Sequence, residues 1–89
     1  MKIGQVVKSV AGRDKGNLLV VTSNGPKGLF VADGKERPLE RAKLKNQKHI
    51  MITGYCLKEN EYRTNRALRS ALRWLNANEM NSERGQKNV

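Results

Sequence analysis

The chain has 89 residues, which is enough for one domain and too few for two. Eighteen Lys and Arg residues face eight Asp and Glu residues, so the formal net charge is +10 and the pI is about 10.3. A surface this basic repels itself and favours a polyanionic partner, either nucleic acid or an anionic membrane. A domain of this size buries only roughly 60% of its unfolded surface, which leaves little room for an enclosed catalytic pocket.

The sequence supports a membrane partner less well than a nucleic acid. The chain opens without an apolar run of signal-peptide length, and its longest clearly apolar run is residues 18–21, whereas a spanning helix needs about 20 apolar residues. One cysteine, Cys56, and one histidine, His49, predict neither an internal disulfide nor a zinc cluster. We therefore expect a cytoplasmic protein without metal or cofactor, in which Cys56 is a small buried hydrophobe.

The first part of the chain, residues 1–54, is typical of short strands, because Val and Ile are enriched and glycine-containing turns interrupt them. Asn24-Gly25 and Asp33-Gly34 mark two of these turns, and Pro38 places the fourth strand at a sheet edge or bulge. The predicted strands span residues 5–10, 17–23, 28–32, 36–40 and 49–53. Five short strands joined by tight turns predict a small barrel.

A single amphipathic helix is predicted over residues 62–78, with Thr64 or Asn60 as its cap. Its apolar face consists of Leu68, Leu72 and Leu75, spaced at i, i+4 and i+7. The strand segments at 18–21 and 29–32 do not alternate with polar residues, so they need cover on both faces. The barrel interior covers one face, and the leucine face of the helix is the candidate for the other.

These elements predict a mainly β fold class, a small five-stranded barrel over residues 1–54 followed by one C-terminal amphipathic α-helix. The helical extension occupies residues 55–80 and is expected to pack on the barrel. Residues 81–89 are polar and are expected to form a flexible tail.

The turn between the first two predicted strands is a candidate phosphate-binding loop. Gly12 and Gly16 bracket Arg13-Asp14-Lys15. Glycines allow close backbone approach and present N–H groups to an anion, and the two cations add charge at the tip. An ordinary hairpin turn with solvated charges explains the same residues, so both interpretations stay open at this point.

Residues 4–16, running into residues 18–21, resemble a KOW motif, which is a hairpin with a basic, glycine-bearing loop found in ribosomal proteins and transcription elongation factors. Residues 30–39 resemble the segment that follows this motif in the eukaryotic-type large-subunit ribosomal protein fourteen. Lys48-His49 is similar to the end of a Lys-rich stretch in bacterial KOW-domain relatives. The resemblance covers about residues 3–53 and is weaker over the helix.

This resemblance implies an SH3-like barrel that contacts ribosomal RNA. It carries over to the loop residues Gly12, Arg13, Lys15 and Gly16, and it implies that Lys35 and Arg37 flank the third hairpin. The transcription-factor branch of the family has a separate domain before the motif, and we do not expect such a domain here.

Two further groups of cations lie outside the loop. The connector before the fifth strand contains Arg41, Lys43, Lys45 and Lys48, and the outer face of the predicted helix contains Arg66, Arg69 and Arg73. Beside a KOW-like hairpin, RNA phosphates are the favoured ligand of the connector. For the helix, bidentate phosphate contact by arginine and an ordinary solvated face both remain open.

Aromatic and catalytic side chains are sparse. Tyr55, Tyr62 and Trp74 are able to stack on bases, but they are too few and scattered for a stacking platform, and we expect Trp74 to pack against the barrel. One His and one Cys suggest no nucleophile and base pair, and the glycine turn lacks the Gly-Lys-Ser/Thr ending of nucleotide-hydrolase loops. We therefore expect no enzyme activity, no catalytic residues and no small-molecule substrate.

The leading hypothesis is a ribosome-associated RNA-binding module, either a ribosomal protein or an accessory or assembly factor. Its expected partners are ribosomal RNA of the large subunit and neighbouring ribosomal proteins. One alternative is a small-barrel adaptor that binds peptides, although peptide grooves of that kind are lined with aromatics and this chain has four. The other alternative is a duplex DNA binder related to transcription.

Overall fold

The computed structural model of the chain describes residues 2–80, with side chains for residues 2–78. Its strands are β1 (Gln5–Ser9), β2 (Leu18–Gly25), β3 (Gly28–Ala32), β4 (Lys43–Lys45) and β5 (Ile50–Cys56), and its helix is α1 (Asn65–Trp74), continued by a π-helical turn at Leu75–Met80. The connections include 3-10 turns at Leu39–Arg41, Gln47–His49 and Glu59–Glu61. The predicted flexible tail, residues 81–89, lies outside the described residues.

The mainly β class with one C-terminal helix is confirmed. All five strands join one antiparallel sheet in the order β4-β3-β2-β1-β5. The central pairing is fixed by β1, in which Val7 lies opposite Leu19 of β2 and opposite Ile52 of β5. Within residues 2–80 no ladder joins β4 to β5, so the hydrogen-bonded sheet is open and the closed barrel stays a prediction.

The fourth strand does not lie where the sequence predicts it. Residues 36–40 form a bend and the start of the 3-10 turn at Leu39–Arg41, and β4 lies instead in the predicted basic connector. The Oδ1 atom of Asp33 accepts hydrogen bonds from the backbone N–H groups of Lys35 at 2.8 Å and Arg37 at 2.9 Å. These local bonds satisfy backbone groups that a ladder would otherwise use, so the segment turns instead of extending.

The hairpin between β2 and β3 is also shifted. Asn24 and Gly25 were expected at the tip, but both belong to β2, and Gly25 pairs with Gly28. The turn itself is Pro26-Lys27. Proline presets the backbone for the first central position of a turn, and this preference places the tip two residues further along the chain.

Two buried clusters lie on the two faces of the sheet. The first joins the sheet residues Val6, Leu18, Val20 and Ala32 to Leu57 and to Leu68, Leu72 and Leu75. The second contains Val7, Leu19, Val21, Leu29 and Val31. The predicted double cover is therefore confirmed for residues 18–21, and the leucine face of the helical segment supplies one side. Phe30 departs from the prediction, because it is only half-buried.

The helix begins where its capping residue places it. The side-chain oxygen of Thr64 accepts a hydrogen bond from the backbone N–H of Ala67 at 3.1 Å, which confirms Thr64 as the cap. Full burial of a leucine stabilises a fold by about 1.5–3 kcal/mol, so the leucine face anchors α1 to the sheet. No helix within residues 2–80 is long and apolar enough to cross a membrane.

Candidate nucleic-acid interface

The loop between β1 and β2 is held by a buried ion pair. The Nζ atom of Lys45 lies 2.6 Å from Oδ1 of Asp14 and donates to the carbonyl oxygen of Ala11 at 2.9 Å. The hydroxyl of Ser9 donates to the same Oδ1 at 3.1 Å. Asp14 is 8% exposed and Lys45 is 6% exposed, so both charges are removed from water. We call Ser9, Asp14 and Lys45 the loop anchor.

Burial opposes the ionisation of Asp14 and is the largest single influence on its pKa. The hydrogen bonds from Lys45 and Ser9, a backbone hydrogen bond and the positive charge of Lys45 together outweigh burial, so the pKa of Asp14 lies below its ordinary value. The carboxylate is therefore ionised at neutral pH and pairs with a cation inside the fold. Lys45 was predicted to contact RNA phosphate. This prediction is wrong, because the ammonium group of Lys45 is not at the surface.

The anchor leaves the rest of the loop at the surface. Arg13 and Lys15 flank Asp14 and are exposed, as are Gly12 and Gly16. Both glycines have positive φ angles, +86° and +91°. A Cβ at Gly16 would meet nothing within 4 Å, so this side of the loop is open to a ligand. The loop thus presents two cations outward while its acid points into the fold.

A groove of about 240 Å³ lies beside the loop and gathers cations from two distant segments. We call it the basic groove. It is lined by the cations Lys35, Arg69 and Arg73, by Gly16 and Asn17 at the end of the loop, and by Asp33 and Asn76. Lys35 comes from the turn after β3, and the two arginines come from the solvent face of α1. The structure therefore joins residues that the sequence placed in three separate predicted patches.

The convergence depends on a close contact between the turn after β3 and the start of α1. Gly34 has a φ of +81°, and a Cβ there would collide with the backbone oxygen of Asn65 and lie 3.1 Å from the backbone nitrogen of Arg69. Asn65 also accepts a hydrogen bond from the backbone N–H of Leu39 at 2.7 Å. Only glycine fits this approach, which sets Lys35 beside the arginines of the helix.

Asn65 has a second partner on the same side. Its Nδ2 atom donates to Oε1 of Glu40 at 2.6 Å, and this hydrogen bond lowers the pKa of Glu40. The turn after β3 and the following 3-10 turn are thus both fastened to the first residue of α1. The site is built on hydrogen-bonded backbone rather than on a loose loop.

The electrostatics of the basic groove favour an anion. Lys35, Arg69 and Arg73 pair with no carboxylate among the described side chains, those of residues 2–78, where Asp14 and Lys45 form the one ion pair. The carboxylate in the wall, Asp33, uses Oδ1 to bind the backbone of its own turn. Three unpaired cations around a small concave surface suit a phosphate group, with arginine offering bidentate contact.

The remaining predicted residues are not gathered into this groove. Arg37 is half-buried, and the exposed cations Arg41, Lys43, Lys48 and Arg66 lie elsewhere on the surface. Asn17, Asp33 and Asn76 line the groove and were missed by the sequence argument. A signal was present for Asn76, because it follows Arg73 by three residues and so shares a helix face with it.

A second groove, of about 190 Å³, lies on the opposite flank of α1. We call it the aromatic groove; it is lined by Tyr55, Cys56, Leu57, Glu61, Ala71, Trp74 and Leu75. Trp74 was expected to pack against the sheet, but it is 56% exposed, because the leucines already fill the apolar face of the helix. Cys56 was expected to be buried and is exposed, because it alternates with Leu57, which faces the core.

Among the side chains that the structure describes, no group of three or more from His, Cys, Asp or Glu is arranged to hold a metal ion. Comparison of the chain with known protein families and with curated proteins finds no match.

Proposed function

We propose that this protein is a cytoplasmic, ribosome-associated RNA-binding protein with a binding role rather than a catalytic one. The observation that carries the proposal is the basic groove, where Lys35, Arg69 and Arg73 converge without a carboxylate partner in the described chain. RNA phosphates would occupy this groove and reach the exposed tip of the adjacent loop at Arg13 and Lys15. Affinity would be largely electrostatic, with position set by the fixed geometry of the loop and the helix.

The strand order and the resemblance to KOW-motif proteins support a finer proposal about the fold. We propose that the open sheet curls into an SH3-like barrel around the second cluster. That cluster, which includes Val7, Leu19 and Leu29, is almost fully buried although the helix packs on the other face. A curled sheet gives this burial, and the loop anchor supports the curl by linking the end of β4 to the loop before β2.

Salt-dependent binding tests the role of the basic groove. The double variant Arg69→Gln, Arg73→Gln is compared with the wild type in filter binding to a structured ribosomal RNA fragment over a range of KCl concentrations. Losing two phosphate contacts should make the negative slope of log K against log salt shallower by roughly 1.4–1.8. The matched control, Lys2→Gln with Lys27→Gln, removes the same charge from exposed positions outside the groove. Equal slopes in the two double variants would exclude the groove as the phosphate site.

Ribosome association is tested by sedimentation of tagged protein from lysate on sucrose gradients at low and high salt. Migration with the large subunit, with release at high salt, is the expected result. Protein that stays at the top under both conditions contradicts the ribosomal part of the proposal. Tighter binding to duplex DNA than to structured RNA in the filter assay would favour the transcription-related alternative instead.

A further inference from the structure

The two grooves flank the same helix and differ in chemistry. The basic groove offers three cations, whereas the aromatic groove offers Tyr55 and Trp74 and has no cation in its lining. The one charged group of the aromatic groove is the carboxylate of Glu61, whose Oε1 atom accepts a hydrogen bond from the backbone N–H of Lys58 at 2.9 Å. A phosphate is attracted to the first groove and repelled by the second.

We propose that the aromatic groove is a stacking site for an unpaired nucleobase of the same RNA strand whose phosphates occupy the basic groove. This inference rests on the proposed RNA-binding function and adds a preference for single-stranded RNA next to a bound phosphate backbone. Single-stranded RNA is recognised largely by stacking of splayed bases on aromatic side chains. A nucleotide strand carries anionic groups and flat rings in regular alternation, which matches a basic groove beside an aromatic one.

The exposure of Trp74 supports this assignment. It is the only Trp of the chain and is 56% exposed, although its indole is the largest apolar surface that any side chain here could bury. The adjacent Tyr55 is half-buried against the first cluster, so its ring is held by the core. A fixed ring and an exposed ring beside a groove of about 190 Å³ suit one flat group, and the volume is below that of pockets for drug-sized ligands.

The spacing fits one strand that crosses α1. Trp74 directly follows Arg73, so their side chains are about 100° apart around the helix axis. On a helix about 10–12 Å in diameter, this angle corresponds to about 10 Å along the surface. A stacked strand rises roughly 3.4 Å per nucleotide, so on the order of three nucleotides connect a phosphate at Arg73 to a base at Trp74.

Fluorescence of the single Trp gives a direct test with the full chain. The probes are an RNA hairpin with a single-stranded 3′ extension, the same RNA with abasic residues in the extension, and the blunt hairpin. The expected result is quenching of Trp74 fluorescence by the first RNA alone. The abasic probe keeps the phosphates and removes the rings, so it separates stacking from charge.

Variants give the matching affinity test. Trp74→Ala should weaken binding of the extended hairpin by roughly 5- to 150-fold, the range for one base–aromatic stack, and should leave binding of the blunt hairpin unchanged. Trp74→Phe keeps a ring and should recover part of the loss. The control Met51→Ala removes a side chain of similar exposure, 52%, about 13 Å along β5 from Tyr55, and should have no effect.

The outcomes separate the two proposals. If the extended hairpin binds in a salt-dependent manner but neither quenches Trp74 nor weakens with Trp74→Ala, the stacking site is wrong and the RNA-binding function stands. If no RNA binds, both proposals fail together. If a proline-rich peptide quenches Trp74 and the extended hairpin does not, the groove serves a protein partner and the nucleobase assignment is overturned.

Discussion

The loop anchor and the basic groove both contain basic side chains, yet these side chains have opposite surroundings in the two regions. In the anchor, the ammonium group of Lys45 is buried and lies 2.6 Å from Asp14. In the groove, Arg69 and Arg73 are exposed and have no carboxylate partner among the side chains of residues 2–78. A buried cation with a partner is committed to the fold, since its removal leaves an uncompensated charge, whereas unpaired cations around a concave surface are available to a ligand.

A count of basic residues does not locate a binding site in this chain. Lys43 and Lys45 lie two residues apart on the same strand and belong to the same basic run, but Lys43 is exposed and Lys45 is not. What separates them is a contact with Asp14, which lies 31 residues away in the sequence. Burial and pairing therefore have to be known before a lysine is assigned to RNA.

The largest effect is expected from removal of the anchor cation. Lys45→Ala leaves the carboxylate of Asp14 buried without its charge partner, and Oδ2 of Asp14 already has no hydrogen-bond partner among the described residues. Breaking a buried pair in this way costs about 3–5 kcal/mol of unfolding free energy. Lys43→Ala, the matched control, should change it by less than about 0.5 kcal/mol. Urea denaturation followed by circular dichroism measures both.

Equal losses of unfolding free energy in Lys45→Ala and Lys43→Ala would contradict the stabilising role of the loop anchor. Because a domain of this size has only about 5–15 kcal/mol of stability, Lys45→Ala is expected to be close to unfolding at room temperature. Lys45→Arg keeps the charge and provides a folded comparison with a smaller loss. A Lys45→Arg variant less stable than Lys45→Ala would show that the site selects for size and not for charge.

A smaller effect is expected from acid, through Asp14. Because its pKa is lowered in the folded state, the stabilisation is fully present above the ordinary value of 3.8 and is lost as the pH falls through the folded pKa. The difference in unfolding free energy between wild type and Asp14→Asn should therefore be constant from neutral pH to about pH 5 and shrink below about pH 4. Glu40 also has a lowered pKa, but it is present in both proteins and cancels.

Urea denaturation at a series of pH values gives this difference directly. A gap between wild type and Asp14→Asn that stays constant into strong acid would mean that the charge of Asp14 does not hold the loop. A gap that widens in acid would mean that the folded state raises the pKa of Asp14, opposite to the effect of its hydrogen bonds.

Elements of the fold that depend on local sequence signals were predictable, and those that depend on distant contacts were not. The three first strands and the leucine face of α1 were predictable, because hydrophobic runs, glycine turns and a 3.6-residue period are local signals. The cap at Thr64 was also predictable, because it bonds to a backbone group three residues away. The position of β4 was not, because the side chain of Asp33 diverts residues 36–40 into a turn.

The candidate site also contains residues that local patterns predict and residues that only distant contacts bring together. Periodicity placed Arg69 and Arg73 on one face of the helix, and the glycine turn marked the loop. No local pattern shows that Lys35 lies beside the helix, because that neighbourhood depends on a Cβ-free contact between Gly34 and the backbone of Asn65. The exposure of Trp74 depends likewise on how completely the leucines fill the interface with the sheet.

The smallest effect on stability is expected in the groove, and it sharpens the contrast with the anchor. Arg69→Gln with Arg73→Gln should change the unfolding free energy by less than about 0.5 kcal/mol, because neither arginine has an ion-pair partner in the described chain. At low salt the variant should be slightly more stable than wild type, because a chain of net charge +10 repels itself less when two charges are removed. Thermal unfolding at low and high salt measures the difference, which should vanish as salt screens the repulsion. A fall in the unfolding free energy of more than about 1 kcal/mol would mean that these arginines support the fold as Lys45 does. It would contradict the interpretation of the groove as a surface available to a ligand.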